Sequence, residues 1–280
     1  TASNNTAVGY QAGYAITTGN GNVAVGYNSL TTATTGDNNT ALGISSLHYN
    51  TIGSRNTANG YQSLYANTTG AENVAIGDRA MATNTTGGNN TSIGSFALRF
   101  NTTASNNTAV GYSSLTANTT GDNLVAVGAN ALDANTTGVR NTALGAYALT
   151  SNTTGAEHTA IGYNALGNNT TSAYNVAIGR SALEANTTGN NNTAVGYLSL
   201  STNITGANNT AIGKEALDAN TTANNNTAVG YRSGYSNTTG GGNTALGYQS
   251  LLDNTIGANN TGLGYEALAN NTTGNYNVAV

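Results

Sequence analysis

The stretch Asn106-Asn-Thr-Ala-Val-Gly-Tyr-Ser-Ser-Leu-Thr-Ala-Asn-Thr-Thr-Gly-Asp122 decides the fold, because the rest of the chain repeats it. Steps of seventeen residues from Gly111 meet a glycine every time, from Gly9 to Gly264. Sixteen repeats thus follow one another without insertion or deletion in 280 residues. Globular domains join their elements by loops of uneven length, whereas a fixed period of this kind marks a solenoid in which each repeat stacks on the last. The expected fold is all-β, a parallel β-solenoid or β-roll, and the expected domain is a single array over 1–280. Neither end carries an atypical capping repeat, so the chain reads as a window on a longer fibre protein.

Positions are numbered from the repeat glycine, so that Val110 is −1, Tyr112 is +1 and Asn107 is −4. The segment before the glycine alternates with the period of two expected of a strand: Thr108 and Val110 share one face, Asn107 and Ala109 the other. Fifteen of the sixteen −1 residues are aliphatic, Asn59 being the exception, which predicts that this face is the core. The −2 face is Ala in every repeat except at Ser92 and Gly262, which predicts close packing there as well. After the glycine come a frequent Tyr, a variable residue, a small residue in all sixteen repeats, and Leu in thirteen. That segment reads either as a second short strand entered through a bulge or as a single helical turn, since periodicity over so few residues does not separate them. Asn-Thr-Thr-Gly, as in Asn118 to Gly121, closes the repeat with turn chemistry.

Stacking at ~4.8 Å per coil gives a rod on the order of 80 Å and sets identical residues above one another. Asn at −4 and at +7 would then form ladders, each amide bonding the next, with Thr hydroxyls alongside. All 18 charged residues fall at six positions, +1, +2, +5, +6, +11 and +12. A lone charge is costly to take out of water, so the other eleven positions face inward, pack in turns, or press against another chain. One coil offers little apolar volume, which predicts a homo-oligomer, with the uncharged Ala, Ser and Leu positions as contacts.

Composition excludes several classes. Seven Lys and Arg in a chain of net charge −4 do not make a nucleic-acid groove. Apolar runs of four or five residues fall far short of the ~20 needed for a membrane-spanning helix. Zero Cys rules out a disulfide framework.

The phrase Asn73 to Gly77 with Ala80, and again Asn175 to Gly179 with Ala182, resembles the head repeats of trimeric autotransporter adhesins. The fuller phrase, ending in Asn-Thr-Thr-Gly, is similar to repeats of bacterial and phage tail-fibre-like proteins that end in an intramolecular chaperone domain. The resemblance implies left-handed parallel β-rolls that trimerise side by side on an extracellular appendage or virion fibre. The adhesin head repeat is shorter than seventeen residues, the surplus here lying in the Asn-Thr-Thr turn, and no binding residue carries over.

No catalytic, cofactor or metal site is expected. His48 and His158 stand 110 residues apart, with no recurring carboxylate pair beside either. Glu184 and Asp218 occupy the same repeat position two repeats apart and read as solvating charges. No loop gathers the oxygens of a calcium site, and no glycine run carries a phosphate-loop Lys. The turns do form Asn-x-Thr sequons, which makes Asn67, Asn84, Asn118, Asn135, Asn152, Asn186, Asn220, Asn237 and Asn271 candidate glycosylation sites. Rows such as Thr119, Thr136 and Thr153 resemble an ice-binding face, though the Asn and Gly of the same turn work against a flat plane. The +1 tyrosines, a candidate glycan-stacking stripe interrupted by Asp78, Ser95, Arg180 and Lys214, read rather as partly packed. The expected function is a non-enzymatic, rigid shaft or head of an extracellular fibre, associating with itself and attaching to a cell surface or a host-surface glycan. The alternatives are a glycan-displaying filament and a repeat module that binds glycan or ice.

Overall fold

A computed structural model describes residues 1–280 as two units, Thr1–Arg140 and Asn141–Val280. Both are built from parallel strands in a β-solenoid of seventeen-residue coils, and there is no helix. The first unit holds β1 (Thr6–Val8), β2 (Val23–Val25), β3 (Thr40–Leu42), β4 (Thr57–Asn59), β5 (Val74–Ile76), β6 (Thr91–Ile93), β7 (Thr108–Val110) and β8 (Val125–Val127). The second holds β9 (Thr142–Leu144), β10 (Thr159–Ile161), β11 (Val176–Ile178), β12 (Thr193–Val195), β13 (Thr210–Ile212), β14 (Thr227–Val229), β15 (Thr244–Leu246), β16 (Thr261–Leu263) and β17 (Val278–Ala279). Within each unit every strand pairs with the next at an offset of seventeen residues, as in Thr91↔Thr108 and Thr193↔Thr210. Equivalent side chains therefore stand one above another, as the period predicts.

The strand faces the opposite way from the sequence expectation. The −2 residue is the buried one, with Ala58, Ala109 and Ala177 at zero exposure, while the −1 and −3 residues point outward and are half-buried or exposed. The reason is volume. A Cβ added at Gly262, the one −2 glycine, would lie 2.5 Å from Ser250 Oγ and 3.4 Å from Leu251 Cγ. The −2 column thus packs directly across a thin coil against the +3 and +4 columns, and only a side chain of Ala size fits between them. Hydropathy favours Val or Ile for a core, but the gap admits neither.

Residues after the glycine form neither strand nor helical turn. Ser113 and Leu115 have φ of 53° and 52°, and this left-handed conformation recurs at +2 and +4 through the array. It lets successive amides point to opposite neighbours: Ser113 N–H donates to the Ser95 carbonyl of one adjacent coil, and Leu115 N–H to the Ala131 carbonyl of the other, both at 3.0 Å. Leucine is an unusual residue for positive φ, which costs roughly 1–2 kcal/mol. Complete burial of the side chain, worth roughly 1.5–3 kcal/mol, offsets it. The repeat glycine has no such latitude. Gly111 has φ of 132°, and a Cβ there would sit 2.6 Å from the Gly128 carbonyl oxygen of the next coil.

These two positions should respond differently to mutation. Leu115→Ala keeps the positive φ and loses the packing, at about 2–5 kcal/mol. Leu115→Gly loses the same packing but relieves the backbone, as Gly13 and Gly234 do at this position. Urea denaturation should therefore find Leu115→Gly no less stable than Leu115→Ala, the reverse of the order in ordinary helices and strands. Gly111→Ala, clashing with backbone that side-chain rotation cannot move, should lower the midpoint more than a typical surface change of ±0.5 kcal/mol.

Candidate interaction surface

The inside of the coil accounts for the asparagines. Asn67, buried at +7, donates through Nδ2 to Asn50 Oδ1 of the adjacent coil at 2.8 Å and to the Gly70 carbonyl of its own turn at 2.9 Å. Asn39, buried at −4, accepts the Asn56 backbone N–H at 3.0 Å and donates to the Gly53 carbonyl at 2.9 Å. Each amide serves its own coil and both neighbours, which is the predicted ladder.

The same geometry governs the sequons. Asn67, Asn84, Asn118, Asn135, Asn152, Asn186, Asn220 and Asn237 are buried in this ladder, and Asn271 is half-buried in it. In Asn84, Asn118, Asn135, Asn220 and Asn237 one amide hydrogen goes to the neighbouring Asn and the other to the carbonyl at +10. Asn186 and Asn271 bond the same way, and Asn152 donates to the Gly155 carbonyl. A glycan would have to replace one of these hydrogens and leave through the packed coil, so the folded turn offers no room for it.

His158 takes the −4 place of one asparagine and is the one buried histidine. Its backbone N–H donates to Asn141 Oδ1 at 2.9 Å, its Nε2 lies 2.8 Å from the Ser172 carbonyl, and Nδ1 faces the Asn175 N–H at 3.2 Å. The neutral ring protonated on Nε2 donates to the Ser172 carbonyl and accepts the Asn175 N–H through Nδ1, with Asn169 Nδ2 also 3.1 Å from Nε2. Burial pushes its pKa down from 6.5 to about 4, against the smaller opposing pull of the Ser172 carbonyl. His48 instead lies at the surface side of the coil, 3.1 Å from the Asn28 carbonyl and stacked on Tyr65. Between Glu184 and Asp218 stands Ser201, which donates to the Asp218 carboxylate. The two carboxylates are two coils, roughly 10 Å, apart.

Outside, the +1 tyrosines use their faces on one another. Tyr231 and Tyr248 stack with centroids 5.4 Å apart, Tyr248 and Tyr265 at 5.1 Å and 5°. Arg180 lies over Tyr163 and Tyr197, and Lys214 over Tyr197 and Tyr231, all within 6 Å. These contacts run along the coil axis and occupy part of the ring faces, while Tyr112 and Tyr265 remain 57% and 72% exposed.

Four outward columns carry no charge in any coil: −3, −1, +8 and +9. Threonines at +8 turn their hydroxyls to the next coil, as Thr68 Oγ1 does to the Thr85 carbonyl at 3.0 Å. The −1 column does nothing for the coil interior, yet it is aliphatic, with Val25 37%, Ile93 39% and Ile212 40% exposed. The predicted contact positions, Ala or Ser at +3 and Leu at +4, are by contrast buried inside the coil, as at Ser114 and Leu115, and cannot meet another chain. Full burial of such aliphatic side chains is worth roughly 1.5–3 kcal/mol each. Covering the exposed third or so of the seven or eight aliphatic members in one unit would contribute roughly 4–8 kcal/mol, within the ~4–15 kcal/mol that association costs. No protein-family model matches the chain, and no curated protein matches it.

The His158 geometry carries a pH dependence. In the unfolded chain the imidazole titrates near 6.5, in the folded one near 4, so between these values the unfolded state holds the extra proton. Stability contributed by this site is complete above pH 6.5 and is lost as pH falls toward 4. Urea midpoints for the protein and for His158→Asn, which restores the ladder, should converge on the same pH trend except for this window. At pH 4.5 the variant should gain roughly 2 kcal/mol over its advantage at pH 7. Equal differences at the two pH values would refute the assignment.

Proposed function

We propose that the chain is a non-enzymatic structural segment of an extracellular fibre, a stiff shaft or head that associates with itself, in the simplest case as a trimer. The observation that carries this reading is the −1 column: an exposed, uncharged aliphatic stripe in a solenoid whose interior is already satisfied without it. Apolar surface of this extent on a soluble element marks a protein contact. Another solenoid of the same pitch can cover it along its whole length, coil against coil. Backbone ladders and buried amide ladders continuous through many coils resist local opening and proteolysis without disulfides, which suits an exposed appendage. The work of such an element is mechanical. It sets a distance by the number of its coils.

Sedimentation and intact mass of the native protein test this directly. The expected result is an oligomer, three chains in the simplest case, each at its sequence mass of 27.9 kDa with no excess per repeat. Replacing Ile93 and Val110 by Asp puts two charges in the stripe without touching the interior. The variant should keep its circular dichroism and lose at least tenfold in association. A protein that is monomeric at all concentrations, or an oligomer indifferent to the two charges, would sink the proposal.

A further inference from the structure

The −1 column of the first unit is aliphatic in seven of its eight coils and polar in one, at Asn59. Asn59 ends β4 at the surface, flanked in register by Leu42 and Ile76, and its side-chain amide has no hydrogen-bond partner within the chain. Other asparagines sit in the ladders at −4 and +7 or at the positions +2, +6, +11 and +12, which carry charge in other coils. Asn59 alone stands in the apolar stripe.

We propose that Asn59 fixes the register in which a second copy of the chain lies along this column. The inference rests on the self-association reading above. Two stacks of identical coils present a degeneracy that ordinary interfaces lack. Sliding one copy by a coil returns every aliphatic residue to an aliphatic neighbour and gives up only the contact of the end coil. A uniform stripe therefore specifies that copies meet but not where. One polar residue removes the degeneracy. With parallel copies in register, the two Asn59 amides face each other and can exchange hydrogen bonds. After a slip of one coil, each is pressed against the aliphatic residue at the height of Leu42 or Ile76, with its donors and acceptor unmade. A lone asparagine in an apolar seam sets the register of coiled coils by the same trade of stability for specificity. A second copy is the occupant that this argument needs, because only a stack of equal pitch offers a mate to each −1 residue at the same height. The column and its −3 neighbours, uncharged in every coil, put no like charges together when two copies are in register.

The chain contains no cysteine, which makes the register directly readable. One chain carries Ile93→Cys and another Val110→Cys, one coil apart; the two are mixed unfolded, refolded together and oxidised. In-register pairing gives 93–93 and 110–110 disulfides, and a one-coil slip gives 93–110. With Asn59 present the mixed disulfide should be scarce. In the Asn59→Val background it should rise on the order of tenfold relative to the in-register products, about the worth of one hydrogen bond left unmade, and Asn59→Gln should restore the scarcity. Sedimentation of the same samples separates the two readings. An oligomer whose slipped disulfides are as frequent with Asn59 as with Val overturns the register proposal alone. A chain that remains monomeric overturns the association reading, and this one with it.

Discussion

Everything in each unit follows from one constraint: coils of equal length stacked at the spacing of paired strands, so that each residue meets its own repeat equivalent above and below. This turns a buried polar side chain from a liability into a fastener. The coil is thin and must bend at +10, which leaves the Gly70 carbonyl and its equivalents pointing inward, away from water. Asn67 and Asn56 both donate to that oxygen, from the same coil and from its neighbour. Asparagine suits the task because its amide has two donors and an acceptor on a short stem. One donor satisfies the inward carbonyl. The other donor and the acceptor continue the ladder, so no member of the row is left unpaired.

The breaks in the ladder show how local the requirement is. Leu124 occupies a −4 site, and its backbone N–H still donates to Asn107 Oδ1 at 2.9 Å. The backbone half of the ladder therefore passes through a leucine, while the side-chain half stops. His158 retains both halves by using one ring nitrogen as donor and one as acceptor, and this division of roles is what protonation would destroy. Charge is absent from these columns for the same reason. An Asp at −4 or +7 could accept but not donate, and it would set like charges one coil apart wherever it recurred.

The period, the ladders and the Asn-Thr-Thr-Gly turn were legible in the sequence because each depends only on which residues recur. The inward strand face was not. Alternation in Thr108-Ala109-Val110 shows that two faces exist, and hydropathy chose the Val face, but the choice belongs to the width of the coil, set by the glycine and the left-handed residues at +2 and +4. Those conformations were hidden too. Nothing in a leucine announces a φ near 50°, because its cost is covered by burial that only the stacked coil provides. The contact positions expected at +3 and +4 failed for the same cause: freedom from charge marks a position as dry or as covered, and does not say which. The ladder place of His158 was not legible either, because no repeat rule identifies a substituted ladder position until the ladder itself is placed.

Two exposed uncharged columns remain once the interior is explained, −1 and +9, and their exceptions separate them. The +9 column is threonine in fourteen coils and isoleucine at Ile52 and Ile256. Every member is β-branched, the shape that extended backbone favours, and threonine is the polar residue of that shape. Local backbone preference and solvent exposure together account for the column without a ligand, glycan or ice. At −1 the exceptions run the other way. Leu42, Leu144, Leu246 and Leu263 share the column with valines and isoleucines, so branching is not what is kept. Asn59 apart, apolarity is kept, at half-buried or exposed sites where solvent does not ask for it and where the leucines go beyond what strand backbone prefers. A property maintained in this way suits a surface that is covered, and this difference is what favours −1, rather than the threonines, as the contact in the self-association proposed above.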